Sequence, residues 1–64
     1  MAQEQRREVL DVEGAAGLLD MSEEAVRRLS RLGKIPGRKV GREWRYSRER
    51  LLRWIGGEEE ADET

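Results

Sequence analysis

Residues Ser22–Gly33 run SEEAVRRLSRLG. At about 100° per residue, Ala25, Val26, Leu29, Leu32 and Gly33 fall on one side of a helix, with small Ser30 at the margin. Glu24, Arg27, Arg28 and Arg31 fall on the other. The spacing predicts an amphipathic helix with a packed side and an arginine-rich side. Ser22 suits the N-cap, because its hydroxyl accepts an otherwise orphaned backbone N–H. Glu23 and Glu24 complement the positive end of the helix dipole. Gly33 suits the left-handed turn that ends a helix. So short a helix is not stable alone and needs a packing partner.

Upstream, Val9–Leu19 is expected to form that partner, with Asp11 as a candidate N-cap. Val12, Ala15, Ala16 and Leu19 follow helical spacing and make one apolar stripe, whose small alanines let a neighbour approach. Gly14 and Gly17 each weaken a helix by about 1 kcal/mol relative to alanine, so tertiary contacts must hold it. Both glycines are read as surface drift without a functional role. Asp20-Met21-Ser22 connects the two helices: Asp tolerates a left-handed turn, Met21 fills the gap, and Ser22 caps the second helix. Helix, three-residue turn, helix is the spacing of a helix-turn-helix unit, though many helix pairs share it.

After Gly33 the period changes. Lys34-Ile35-Pro36-Gly37 breaks the helix. Arg38-Lys39-Val40 and Trp44-Arg45-Tyr46 flank a Gly41-Arg42-Glu43 tip, which predicts a β-hairpin. Alternation puts Trp44 and Tyr46 on one face, as packing residues, and Arg45 on the other. Arms this short must lie against the helices. Ser47 is a candidate N-cap for a last helix, Arg48–Ile55, with Leu51, Trp54 and Ile55 on its packing side. Glu49 and Arg53 stand four apart on its wet side, and Gly56-Gly57 stops it.

The 64 residues make one small domain with a thin core. The expected organisation is a flexible polar leader at residues 1–8, a folded domain at residues 9–57 and a disordered acidic tail at residues 58–64. With no cysteine and no histidine, disulfides and thiolate or imidazole metal sites are excluded, and no cofactor is expected. No apolar run is long enough for a membrane span or a signal peptide, so the default location is the cytoplasm. The net charge of −1 conceals segregation. Residues 1–26 carry a net −5, residues 27–54 a net +9, and residues 55–64 a net −5. A basic centre of this density is the footprint of a polyanion binder, or else a solvated surface balanced by acidic ends. The serines have capping or helix-margin roles and the carboxylates lie mostly in caps and tails, which argues against an enzyme. Few aromatics are available for stacking, which argues against an RNA binder.

In order, Leu10-Asp11-Val12, Ala15-Ala16-x-Leu18-Leu19-Asp20-Met21-Ser22, Gly33-Lys34-Ile35-Pro36, Lys39-Val40-Gly41-Arg42-x-Trp44-Arg45-Tyr46 and Trp54-Ile55 resemble the excisionase-type, MerR-related winged helix-turn-helix family. The resemblance covers Val9–Ile55. It departs from the family pattern at Gly14, Gly17, Asp20 and the Glu23-Glu24-Ala25 opening of the second helix. It implies a mostly α fold with a small β-hairpin wing, in the order helix-turn-helix-hairpin-helix. It also implies a small DNA-binding protein, a transcriptional regulator or an excisionase-like architectural factor, working in a bacterial or phage-type nucleoid. The Ser22–Leu32 helix would enter the major groove of double-stranded DNA, and the Lys39–Tyr46 hairpin would be the wing. The residues so implicated are Ser22, Glu24, Arg27, Arg28, Arg31, Arg38, Lys39, Arg42 and Arg45, with Arg45 as the main wing contact and Arg38 and Lys39 on phosphates. Assembly with itself on DNA is a further expectation. Because Glu23 and Glu24 oppose phosphate, the alternative is a protein–protein interaction module on the same fold.

Overall fold

The computed structural model describes residues 7–58; the remainder of the expected leader and acidic tail lies outside them. Asp11 sets the start of the first helix. Its backbone is extended, and its carboxylate accepts the Gly14 N–H at 2.8 Å. The helix, α1, therefore runs Val12–Leu19 and not from Val9. Val9–Leu10 instead forms a two-residue strand, β1. An extended entry turns Leu10 into the core, where it is fully buried, and leaves Val9 outside. Gly14 is not drift. It is buried, and a Cβ there would lie 3.2 Å from the Leu10 side chain, whereas Gly17 is exposed.

Asp20 ends α1 in the left-handed conformation (φ 58°, ψ 49°). Met21 packs against the core as expected, and the Ser22 hydroxyl accepts the Ala25 N–H at 3.1 Å. The second helix, α2, runs Glu23–Arg31. It closes on Gly33 (φ 74°), with Lys34 N–H donating to Leu29 O and Gly33 N–H to Ser30 O, the double closure of a Schellman turn. Val26 and Ser30 are its buried residues. Leu32, expected inside, is 60% exposed. The geometry explains it: from Val26, Ser30 lies about 40° away around the helix and Leu32 about 120°.

Strand β2 (Arg38–Val40) and strand β3 (Glu43–Ser47) pair antiparallel, with Lys39 opposite Trp44 and Val40 opposite Glu43. Only Gly41 has positive φ (66°) in the two-residue loop, the pattern of a type II′ turn. On its other edge β3 pairs with β1, Leu10 opposite Tyr46, giving a three-stranded sheet in the order β1-β3-β2. Ser47 ends β3 and caps the last helix, α3 (Arg48–Ile55), by accepting the Arg50 N–H. The Glu49–Arg53 pair forms at 3.1 Å. Leu51 is fully buried and Trp54 packs on the core, but Ile55, in the last turn, is 60% exposed. The core gathers Leu10, Val12, Ala15, Ala16, Val26, Ile35, Tyr46 and Leu51 from the three helices, from β1 and β3, and from the loop after α2. Three helices and a small sheet thus make a winged helix-turn-helix.

The two glycines of α1 separate in a melting experiment. Gly17→Ala is expected to raise stability by about 0.5–1 kcal/mol through helix propensity alone. Gly14→Ala gains less or loses, because Leu10 must give way. Thermal unfolding followed by circular dichroism checks the order.

Candidate nucleic-acid interface

α2 turns Val26 and Ser30 inward, so its charged residues line the opposite side. Arg27, Arg28 and Arg31 are all exposed, as are Ser22 and Glu24. Arg27 lies 3.5 Å from Glu23, one turn earlier, with both side chains half exposed. A pair so wet contributes little to stability. The carboxylate that meets Arg27 is thus Glu23. Among the described residues, no ion pair reaches Arg28 or Arg31. Both lie in the last turn of α2, where positive charge suits the negative end of the dipole.

The hairpin divides its cations by strand parity. Trp44 and Tyr46 face the core, and their rings stack at 6.4 Å with an 18° interplanar angle. Lys39, opposite Trp44, shares that side, with its ammonium 6.0 Å from the Trp44 ring centre. Arg38 and Arg45, opposite each other, take the outer face, away from α2. Arg45 also bends back: its guanidinium donates to its neighbour's carbonyl, Trp44 O, at 2.9 Å and lies 3.9 Å from the Glu43 carboxylate. Arg42 sits at the tip of the hairpin. With Arg27 it lines a concavity of about 230 Å³ whose walls include Glu23, Trp44 and the start of α1. A second concavity of about 220 Å³ lies over the outer sheet face, lined by Arg38, Arg45 and Arg50 together with Val9, Pro36 and Val40. The structure therefore brings Arg42 to the same concavity as Arg27, on a helix that also exposes Arg28 and Arg31, and groups Arg38 with Arg45 across the sheet.

Behind the cations lies a polar contact not anticipated from the sequence. Ser30 is 4% exposed and Tyr46 2%, and their hydroxyls meet at 2.6 Å. The Ser30 hydroxyl also lies 2.7 Å from the Val26 carbonyl, which can only accept. Ser30 therefore donates to Val26 O, and Tyr46 donates to Ser30. Gly37 closes the other side of the ring: a Cβ there would fall 2.5 Å from Tyr46 Cε1 and 2.7 Å from Cδ1. The available signal was a serine four residues after Val26 on the packed face, with a tyrosine in the hairpin. Burial pushes the Tyr46 hydroxyl above its ordinary pKa of 10.0, against smaller opposing effects of the Ser30 hydrogen bond and the Arg27 charge.

A winged helix-turn-helix carrying an arginine-lined second helix beside a cationic wing tip is an architecture of DNA-binding proteins. Residues 9–58 match a family model described as a helix-turn-helix domain. The chain belongs to this helix-turn-helix family, whose members are DNA-binding proteins. No curated protein and no solved structure matches it at a significant level. Among the described residues, no helix is long and apolar enough to cross a membrane.

The raised Tyr46 pKa has a definite sign. The folded state holds this proton more tightly than the unfolded chain, so its stabilisation is complete below the unfolded value near 10 and is lost as pH rises through the folded value. Melting temperatures taken from pH 8 upward should fall at the alkaline end. The decline should be shallower in Tyr46→Phe, which controls for lysine titration.

Proposed function

We propose that the chain binds double-stranded DNA through the exposed side of α2 and the hairpin wing, as a transcriptional regulator or an excisionase-like architectural factor of the MerR-related kind. The observation that carries this reading is that Arg28 and Arg31 stand exposed on α2 with no ion pair among the described residues, while Arg42 of the wing tip shares a concavity with Arg27. In the bound state α2 lies in the major groove, where a guanidinium pairs with guanine O6 and N7 and the Glu24 carboxylate accepts from cytosine N4. Ser22, at the helix start, faces the backbone. Arg42 and Lys39 reach phosphates from the near side of the wing, and Arg38 and Arg45 from its far side. Glu23 tempers Arg27 and, with Glu24, disfavours nonspecific contact at the first turn.

The second reading, a protein–protein module, is favoured by one feature. Asp11, Glu13, Glu23 and Glu43 rim the same concavity as Arg27 and Arg42. A mixed-charge rim suits a polar protein surface better than a uniform polyanion.

Salt separates the two. If about five phosphates are contacted, the logarithm of affinity for a mixed-sequence duplex falls with log salt at a slope of about −4 to −5. Arg28→Ala and Arg42→Ala should each weaken binding and make that slope shallower by about 1. Arg53→Ala, on α3 beside Glu49, should leave both nearly unchanged. Glu23→Gln, which releases Arg27, should tighten binding. Fluorescence anisotropy at two or more salt concentrations measures all four, and an affinity indifferent to salt favours the protein-binding reading.

A further inference from the structure

α2 and the wing are not packed broadly on each other. Each leans on α1, and α2 meets the sheet only sparsely. Among the described residues, the Tyr46–Ser30 hydrogen bond is the one that joins α2 to the hairpin. It is short, buried on both sides and spans sixteen residues of chain. Its Ser30 end is fastened to the α2 backbone through Val26 O. Its Tyr46 end belongs to the central strand, held on one side by pairing with Leu10, and its ring is hemmed by Gly37 and stacked on Trp44.

We infer that Ser30, Tyr46 and Gly37 are positioning residues that set the angle between α2 and the wing, so that the two engage one duplex together. This rests on the DNA-binding reading above. An apolar contact alone would let the hairpin pivot on α1, because apolar burial has no directional preference. A hydroxyl chain anchored to a helix carbonyl restricts both distance and angle. Loss of the tie leaves every cation in place but leaves the wing in its productive orientation for only part of the time, and apparent affinity falls by that fraction.

The full chain is compared with Tyr46→Phe, Ser30→Ala and Gly37→Ala, each at a temperature where circular dichroism shows it folded. Amide hydrogen exchange without DNA gives the first readout. Amides of residues 38–47 should exchange about tenfold faster in Tyr46→Phe, with those of α1 protected as before, as local opening requires. Titration with a mixed-sequence duplex gives the second. Tyr46→Phe should bind about three- to tenfold more weakly. Arg42→Ala, which weakens the natural sequence, should add little in the Tyr46→Phe background; a purely stabilising bond would leave the Arg42 effect at full size. Gly37→Ala keeps the hydroxyl but displaces the ring, and should reproduce both changes if Ser30→Ala does not fold. Unchanged affinity in Tyr46→Phe with a full Arg42 effect overturns the inference. If the natural chain ignores duplex altogether, the DNA-binding reading falls. The exchange arm then decides the tie alone: faster wing exchange upholds it and unchanged exchange overturns it.

Discussion

Two hydroxyl groups in a thin core impose the strictest condition on this molecule. Each, buried without a partner, would destabilise the fold by about 1–3 kcal/mol, a large share of what so small a domain has. They satisfy one another in series, Tyr46 to Ser30 to the Val26 carbonyl. Meeting that condition brings the Tyr46 ring over a residue without a Cβ and requires β3 to present its aromatic face inward. Once Tyr46 points in, parity turns Arg45 out and, through the cross-strand register, Lys39 in and Arg38 out. The distribution of charge over the wing is thus tied to one buried phenol.

Much of this was written locally. Asp11, Ser22 and Ser47 each cap a helix with their own side chain, and Asp20, Gly33 and Gly41 each take the left-handed backbone their turns need. Those signals depend on a few adjacent residues and survive without knowledge of the fold. The hairpin and its inward aromatic face followed from alternation, but its register did not: the expected Gly41-Arg42-Glu43 tip is a two-residue loop, and Glu43 begins β3 opposite Val40. What escaped depended on distant partners. Val9–Leu10 is too short to show a strand period, and its valine, three residues before Val12, also fits the helical stripe of α1. Ser30 looked marginal because Leu29, Leu32 and Gly33 seemed to centre the packed side of α2; Val26 and Ser30 centre it instead, and the partner that makes a serine fit there lay sixteen residues away. Gly37 carried no distinguishing pattern, because its role is to make room for the Tyr46 ring. For the candidate site, the exposed arginines of α2 were legible from periodicity. The placement of Arg42 beside Arg27, and of Arg45 across the sheet, required the three-dimensional course of the hairpin.

The charges of α2 serve two ends at once. Glu23 and Glu24 at its start and Arg28 and Arg31 at its end oppose the helix dipole in the favourable sense. The same arrangement grades the outer face from mixed charge at the first turn to positive charge at the last, where no ion pair among the described residues reaches Arg28 or Arg31. A helix stabilised this way does not need its arginines to pair internally, so Arg28 and Arg31 remain available without a structural penalty. Arg27 differs, because Glu23 lies one turn before it. The acidic opening therefore moves the strongest positive potential toward the C-terminal half of α2, and away from the helix start that would otherwise attract any anion.

Stability and recognition are usually separable in so small a fold, since the packed face and the charged face of each element point apart. Here they meet at Ser30. A leucine at that position would supply more apolar burial and a better helix former, yet it would strand the Tyr46 hydroxyl. Phenylalanine at Tyr46 would remove that problem and leave a wholly apolar contact, which holds elements together but not at a chosen angle. A polar pair is the arrangement that gives orientation as well as attachment. For a chain whose two cationic elements are each carried on α1 and touch one another so little, orientation is the quantity that apolar packing cannot supply.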